Sequence, residues 1–170
     1  LVSDRVLRKA KIKKTEEGIA IGTKTFPLQQ VRLIPKKDIT VVVGNGVKHY
    51  RGAIDVVSKG NNVSLINVIE LEKYIRGVLY HEVSNKWPMD AMKAQAVVAR
   101  TYAMYQMEAN KDQNFDVTSD IYSQVYGGKS AERFRTNLAV NRTKGEVLIY
   151  KGKILPAYYS SNCGGHTENV

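Results

Sequence analysis

Near residue 69 the hydrophobic period of this chain changes, and that change limits the fold more than any other feature. Before it, short apolar runs lie between turns: RVLRKAKI (5–12), GIAIG (18–22), QQVRLIP (29–35), ITVVVGN (39–45), AIDVVSK (53–59) and NVSLIN (62–67). Their β-branched or alternating character, with Gly44-Asn45-Gly46 and Gly60-Asn61-Asn62 between them, predicts strands joined by turns. Residues 48–69, KHYRGAIDVVSKGNNVSLINVI, read as one extended hairpin, with Ala53, Asp55 and Val57 on one side and Ile54 and Val56 on the other. From residue 69, in IELEKYIRGVLYHE, the apolar residues Leu71, Tyr74, Ile75, Val78 and Leu79 recur at three and four, one face of a helix. Gly77 weakens that helix by roughly 1 kcal/mol relative to Ala and marks a close contact.

A second helix follows. Ser84 and Asn85 offer caps, Pro88 suits a first helical turn, and Asp90 places a negative charge at the positive end of the dipole. The helix is expected from Met89 to about Met107, with Met92, Ala96, Ala99, Ala103 and Met107 as a mostly small-residue stripe for close packing. DQNFDVTSDIYSQVYGGKSAERF (112–134) reads as a structured loop, and RFRTNLAVNRTKGEV as a short helix ending before Gly145. EVLIYKGKILPAYYSS then predicts two strands with a turn at Lys151-Gly152, and SNCGGHTEN a polar loop. The expected fold class is α+β. Helices of about 69–107 would pack against a mixed or antiparallel sheet, supplied by the strands before residue 66 and those at 146–160, and leave a substrate groove. Residues 1–46 would form a β-rich part of the same domain or a subdomain, and 47–170 a core that continues beyond the C-terminus given.

The formal charge of +10, from 26 Lys and Arg against 16 Asp and Glu, speaks to long-range attraction for anionic partners and not to fold. The basic residues are scattered and no recognition motif accompanies them, so nucleic acid is not an expected partner; an acidic cell-wall polymer fits the charge as well. No apolar run reaches membrane-spanning length, so a membrane anchor would have to lie in a segment absent from this chain. The single cysteine, Cys163, excludes an internal disulfide and a cysteine cluster for structural zinc.

Three charged residues stand out. Glu82 ends the first helix, and Lys93 and Arg100 lie two turns apart on one face of the second. On the residues alone Glu82 is a solvated helix end, a salt-bridge partner for Lys93, or an acid/base catalyst. Pairing with Lys93 would favour its charged form, whereas burial near Trp87, Tyr80 or Tyr158 would raise its pKa and suit an acid. Lys93 and Arg100 make either a cationic ledge for carboxylates or acyl groups of a ligand, with Gln95 on the same wall, or an internal pair fixing Asp116 or Asp120. Ten tyrosines against three phenylalanines hint at rings for sugar faces and hydroxyls for sugar hydrogen bonds. Tyr122 and Tyr126 occur in loop-like sequence. Tyr158 and Tyr159, pointing to opposite faces of a regular strand, would put one in the cleft and one in the core; Ser160, Ser161 and Asn162 would extend that wall.

Several ordered blocks together resemble the SpoIID family, that is, stage II sporulation protein D and the related amidase enhancers. They are YRGAIDV (50–56), IELEKYIRGVLYHEV (69–83), WPMDAMKAQAVVARTYAMYQ (87–106), QVYGG (124–128) and AVNRTKGEVLIYKGKILPAYYSSNCGGHTEN (139–169), covering roughly residues 47–169. The resemblance implies an extracytoplasmic enzyme of the cell envelope. Its substrate would be peptidoglycan glycan strands stripped of stem peptides, and it would act as a lytic transglycosylase. Such an enzyme cleaves the β-1,4 bond between N-acetylmuramic acid and N-acetylglucosamine and leaves a 1,6-anhydro end. It implies Glu82 as general acid/base. Lys93, Gln95, Arg100, Tyr122, Tyr126, Tyr158, Tyr159, Ser160, Ser161 and His166 would bind substrate. One carboxylate suffices for such an enzyme, because the substrate's own C6 hydroxyl attacks the anomeric carbon; Asp116, Asp120 and Glu168 remain as possible second acids. The alternative is a non-catalytic glycan-binding module that enhances a partner cell-wall amidase.

Some sporulation members hold zinc with cysteine and histidine in the loop before the QVY block. The corresponding stretch here has Thr118, Ile121, Tyr122 and Ser123, so that site is not carried over and no cofactor is expected. Cys163 and His166 could supply two ligands where zinc wants three or four.

Overall fold

A computed structural model describes residues 9–166. Of the first expected strand, 5–12, only the last residues lie within that range, and Glu168 lies outside it. In chain order the strands are β1 (Ile12–Thr15), β2 (Gly18–Ile21), β3 (Lys24–Phe26), β4 (Gln30–Leu33), β5 (Ile39–Val43), β6 (Gly46–Tyr50), β7 (Ala53–Lys59) and β8 (Asn62–Val68). Then come helices α1 (Leu71–Glu82) and α2 (Met89–Ala109), a 3-10 turn (Gly128–Ala131), α3 (Phe134–Arg142), β9 (Ile149–Tyr150) and β10 (Lys153–Ile154). The class is α+β, as expected.

The chain divides into two compact units, Leu1–Ile39 with Arg51–Ile69, and Thr40–Tyr50 with Glu70–Val170. The division therefore follows neither sequence order nor a boundary at 46/47. In the first unit β1-β2-β3 form one antiparallel meander and β4-β7-β8 another antiparallel sheet. Their interior is aliphatic: Ile19, Ala20, Ile21, Ile54 and Val56 are buried. The register that opposes Arg32 to Asp55 also builds an ion pair, with the guanidinium Nε 2.6 Å and Nη2 2.7 Å from the two carboxylate oxygens and Gln30 Nε2 at 2.9 Å. The Arg32 bonds hold the Asp55 carboxyl below its usual range, against the opposing effect of burial.

The hairpin expected over 48–69 is shorter. Gly52 takes φ +76, and a Cβ there would lie 2.3 Å from the Val68 carbonyl oxygen, so the chain turns at a point where only glycine fits. Residues before it, in β6, pair with β5 instead.

In the second unit α1, α2 and α3 pack on one another, the 3-10 turn packs on α1 and β6, and β10 packs on α2. Tyr74, Ile75, Val78 and Leu79 of α1 meet Met92, Ala96, Ala99 and Ala103 of α2 in the core, as their spacing predicts; Met107, expected in that stripe, is exposed. The expectation of one sheet beneath the helices is corrected. Among the described residues the strands fall into four separate sheets, and 149–154 make only a ladder of two residues per strand. Lys151 at φ 48 and Gly152 at φ 76 form the tight turn expected there. α2 begins after Pro88 with no side-chain cap, so Ser84 and Asn85 do not cap it. α3 ends well before Gly145, whose φ is +78.

Candidate active site

Glu82 occupies the last position of α1, where the Val83 amide closes the final turn on the Leu79 carbonyl at 3.1 Å. It is half-buried. Burial pushes its carboxyl pKa above the usual range; the neighbouring Tyr159 hydroxyl and His81 pull the other way without overcoming it. Lys93 does not neutralise it, because that ammonium sits 2.7 Å from Asp90 Oδ1, one turn back on its own helix. This is the electrostatic setting of an acid that keeps its proton longer than an exposed glutamate does.

Tyr159 reaches Glu82 from irregular chain. After β10 the backbone takes φ 41 at Ala157, a left-handed conformation unusual for a residue with a Cβ, and no strand follows over 158–161. The two rings consequently do not alternate between core and cleft as a strand would require. Both meet Tyr102 of α2 edge-on, Tyr158 at 5.9 Å and Tyr159 at 6.4 Å between centroids, and Tyr158 also meets Tyr105 at 6.5 Å. Tyr158 stays exposed while Tyr159 is half-buried, and its phenol pKa is raised mainly by burial.

Behind Tyr159 lies Gln124, 1% exposed, which sequence reasoning did not single out. Its Nε2 donates to the Tyr159 hydroxyl at 3.0 Å and to the Ala99 carbonyl at 3.2 Å, and its Oε1 accepts from the Tyr74 hydroxyl at 3.2 Å. A lone glutamine in loop-like sequence carries no periodic signal; its place in the QVYGG block was the only pointer.

Arg100 is not available to a ligand, contrary to the expectation of substrate binding. It is buried on α2, and its Nε and Nη2 each lie 2.9 Å from one of the two oxygens of Glu72. Nη1 donates to the Glu146 carbonyl at 3.0 Å and to that of Ala96 at 3.4 Å, and Nη2 to that of Val140 at 3.3 Å. The internal-pair reading is the one the geometry adopts, with Glu72 in place of Asp116 or Asp120. Glu72 also accepts from the Gly145 amide at 3.1 Å, so the pair ties α1 and α2 to the chain leaving α3.

Tyr126 is also withdrawn from any ligand surface. It is 5% exposed, its ring 5.1 Å from that of Tyr74 and 6.0 Å from that of Tyr50. Tyr122 is 85% exposed in its loop, its amide bonded to Asp120 Oδ1 at 3.0 Å. Gln95 is half-buried, with its side-chain nitrogen making no hydrogen bond within the protein. Ser160, Ser161 and His166 lie in exposed chain; the Ser160 hydroxyl bonds the Asn162 carbonyl at 3.4 Å and the His166 amide that of Cys163 at 3.2 Å. Of the residues expected at the site, Tyr159 lies close enough to Glu82 to lower its pKa, and Lys93 and Arg100 have other partners.

The loop matching the zinc-bearing loop of some sporulation members does not fit a zinc ion. Thr118 and Ser123 bond to one another through amide and hydroxyl at 3.2 Å, Thr118 Oγ1 donates to Asp120 Oδ1 at 2.8 Å, and Ile121 and Tyr122 offer no ligand atom suited to zinc. Among the described residues no three His, Cys, Asp or Glu converge as a metal would need. No helix among them is long and apolar enough to cross a membrane.

An α+β domain with one desolvated glutamate at the end of a helix, held against a tyrosine, is the class defined so far. The chain belongs to the SpoIID family: the family model described as stage II sporulation protein matches residues 59–150. It is 43% identical over 127 residues to an uncharacterised protein of Brachyspira hyodysenteriae, which spans 74% of this chain and 34% of that protein. It is 42% identical over 94 residues to the amidase enhancer of Bacillus subtilis, 55% of this chain and 12% of the relative. It is 34% identical over 129 residues to stage II sporulation protein D of Bacillus amyloliquefaciens, 67% of this chain and 37% of the relative. The chain thus spans little more than a third of the length of these relatives at most.

Proposed function

We propose that this domain acts in the cell envelope as a lytic transglycosylase on peptide-stripped glycan strands, with Glu82 as its single acid/base. The observation that carries this reading is the environment of Glu82, a half-buried carboxyl with raised pKa, a tyrosine hydroxyl beside it and no lysine neutralising it. Protonated, Glu82 gives its proton to the glycosidic oxygen between N-acetylmuramic acid and N-acetylglucosamine as the C–O bond breaks. The ionised carboxylate then takes the proton of the muramyl C6 hydroxyl, whose oxygen attacks the anomeric carbon and closes the 1,6-anhydro ring. The proton inventory of Glu82 is restored, water is not consumed, and a second carboxylate is not required. The exposed Tyr158 ring is suited to stack on a sugar face, and Tyr122, Ser160, Ser161, Lys93, Gln95 and His166 remain within this reading as groups that could contact glycan. Nothing in the reaction calls for a metal.

The test is mass spectrometry of peptide-stripped glycan strands after incubation with the domain and with Glu82→Gln. Release of 1,6-anhydro-muramyl fragments by the parent alone supports the reading. Reducing ends instead would mean hydrolysis and a second acid. A second reading has one specific observation behind it, the similarity to a relative named amidase enhancer. In that case neither form cleaves glycan, both bind it, and a partner cell-wall amidase turns over faster in their presence.

A further inference from the structure

We infer that Arg133 and Arg135, with the exposed rings of Tyr80, Phe134 and Trp87, form a second contact surface for glycan, one that selects N-acetylmuramic acid whose lactyl carboxylate is free. The inference rests on the reading of this domain as acting on peptide-stripped glycan, and it names residues that enforce that preference. Two contacts fix the place. The Arg133 guanidinium carbon lies 4.4 Å from the centre of the Tyr80 ring, near the end of α1. Arg135 Nη2 donates to the Trp87 carbonyl at 2.9 Å, just ahead of α2. Phe134, between the two arginines in sequence, is 83% exposed, and Trp87 and Tyr80 are 48% and 38% exposed. From there α3 runs back along α1, with Arg76 Nη2 2.7 Å from Asn141 Oδ1 and the Gly145 amide 3.1 Å from Glu72. The end of α1 and the starts of α2 and α3 therefore meet at one end of the helical bundle, the end at which Glu82 stands.

These two cations differ from others in how they are held. Arg32 and Arg100 are neutralised by Asp55 and Glu72. Arg133 and Arg135 make no ion pair among the described residues. Arg133 Nη1 donates to the carbonyls of Ser130 and Glu132 at 2.8 and 2.9 Å, and the Glu132 carboxylate takes a bond from Asn137 Nδ2 at 3.4 Å. Neutral carbonyls and a ring face thus orient the guanidiniums without cancelling their charge. Nε and Nη2 of Arg133, and Nε and Nη1 of Arg135, are left without a protein acceptor among those residues. α3 supplies no compensation, since its first turn holds no acid and its N-terminus is the positive end of a dipole. An oriented guanidinium with open N–H groups matches a carboxylate, and an exposed ring matches a sugar face. The lactyl group of muramic acid carries its charge only once the stem peptide is gone, because the peptide is joined to it as a neutral amide. Glycan that keeps its peptides offers no anion at that position.

The experiment is a binding titration of glycan oligosaccharides, followed by calorimetry and by the fluorescence of Trp87, the sole tryptophan, in Glu82→Gln to prevent cleavage. Two ligands are compared: peptide-stripped glycan, and the same glycan with its lactyl carboxylates converted to methyl amides. Free-acid glycan is expected to shield Trp87 from acrylamide quenching. The amide is expected to bind about 10-fold more weakly, the size of one lost charged hydrogen-bond contact. Arg133→Gln combined with Arg135→Gln is expected to bind both ligands alike. Lys36→Gln combined with Lys37→Gln, which removes the same charge from the first unit, is expected to keep the preference. Absence of binding, a Trp87 left unshielded by saturating glycan, a preference that survives without the two arginines, or one lost equally in the lysine control overturns the inference. Should the double arginine variant not fold, the shielding of Trp87 and the comparison of the two ligands in Glu82→Gln decide. Absence of anhydro products from the parent would sink the transglycosylase reading separately, since these titrations read no turnover.

Discussion

The two ends of α1 carry the same residue type with opposite fates. At its first turn Glu72 meets Arg100 in a two-pronged bond and also takes the Gly145 amide. At its last turn Glu82 makes no ion pair with any lysine or arginine among the described residues; burial raises its pKa, while the Tyr159 hydroxyl and His81 at its flank lower it. One acid is tied down as a brace between elements, and the other is left able to change its proton count. What decides between them is the partner delivered by the rest of the fold, since helix position alone would favour an acid at the N-terminal end and not at the C-terminal one. An unfavourable dipole at the helix end acts in the same direction as burial, toward a higher Glu82 pKa.

Substitutions at the two ends should separate chemistry from stability. The largest effect expected is on turnover: Glu82→Gln lowers the rate of anhydro-product release by about 100-fold or more, with no loss of thermal stability. The converse variant, Glu72→Ala, leaves the buried Arg100 guanidinium uncompensated and is expected to destabilise the domain by about 3 kcal/mol, measured by urea unfolding. Its activity per folded molecule should survive. Loss of activity in fully folded Glu72→Ala would break the contrast.

The pH dependence is smaller and has a definite sign. Because the folded value of Glu82 lies above its unfolded one, the folded state binds more protons between the two, and stability falls as pH rises through that window. Glu82→Gln should therefore melt higher than the parent at neutral pH, by about 2 °C or less for a half-buried group, and equal to it below about pH 4. Asp55 runs the other way. Its contribution is present above the usual aspartate value and is lost as pH falls through its lowered folded one, so Asp55→Asn should flatten the acid limb of a melting profile. The smallest effect belongs to Lys93→Met. The pair with Asp90 is solvent-exposed, and no measurable change in Tm is expected. A raised KM with an unchanged Tm would place that ammonium against glycan.

Much of the helical part was legible in the chain, because its signals are local. The spacing of Tyr74, Ile75, Val78 and Leu79, the alanine stripe of α2 and the Lys151-Gly152 turn all act within a few residues. Glu82 was legible only through the family blocks; its burial was not, because the surfaces that cover it arrive from distant sequence. The Arg100 partner lay 28 residues away and Tyr159 reaches Gln124 over 35, and no periodicity encodes such pairings. Tyr126 misled for a related reason. Its surroundings are polar and loop-like in sequence, yet the ring is enclosed by Tyr50 and Tyr74. The missed break at Gly52 shows the same limit, since the constraint is the oxygen of Val68 and not anything beside the glycine.

Gly77 carries that lesson into mutational tolerance. A Cβ there would stand 2.4 Å from the Tyr126 ring, and that ring is packed between Tyr50 and Tyr74 and cannot swing aside. The Gly77 carbonyl also receives the Gly127 amide at 3.1 Å. This contact joins the helix that ends in Glu82 to the segment that contains Gln124. A methyl group at position 77 would act as a wedge between them, so the position with no side chain is among the least replaceable in the chain, and a library that varies it should return almost only glycine.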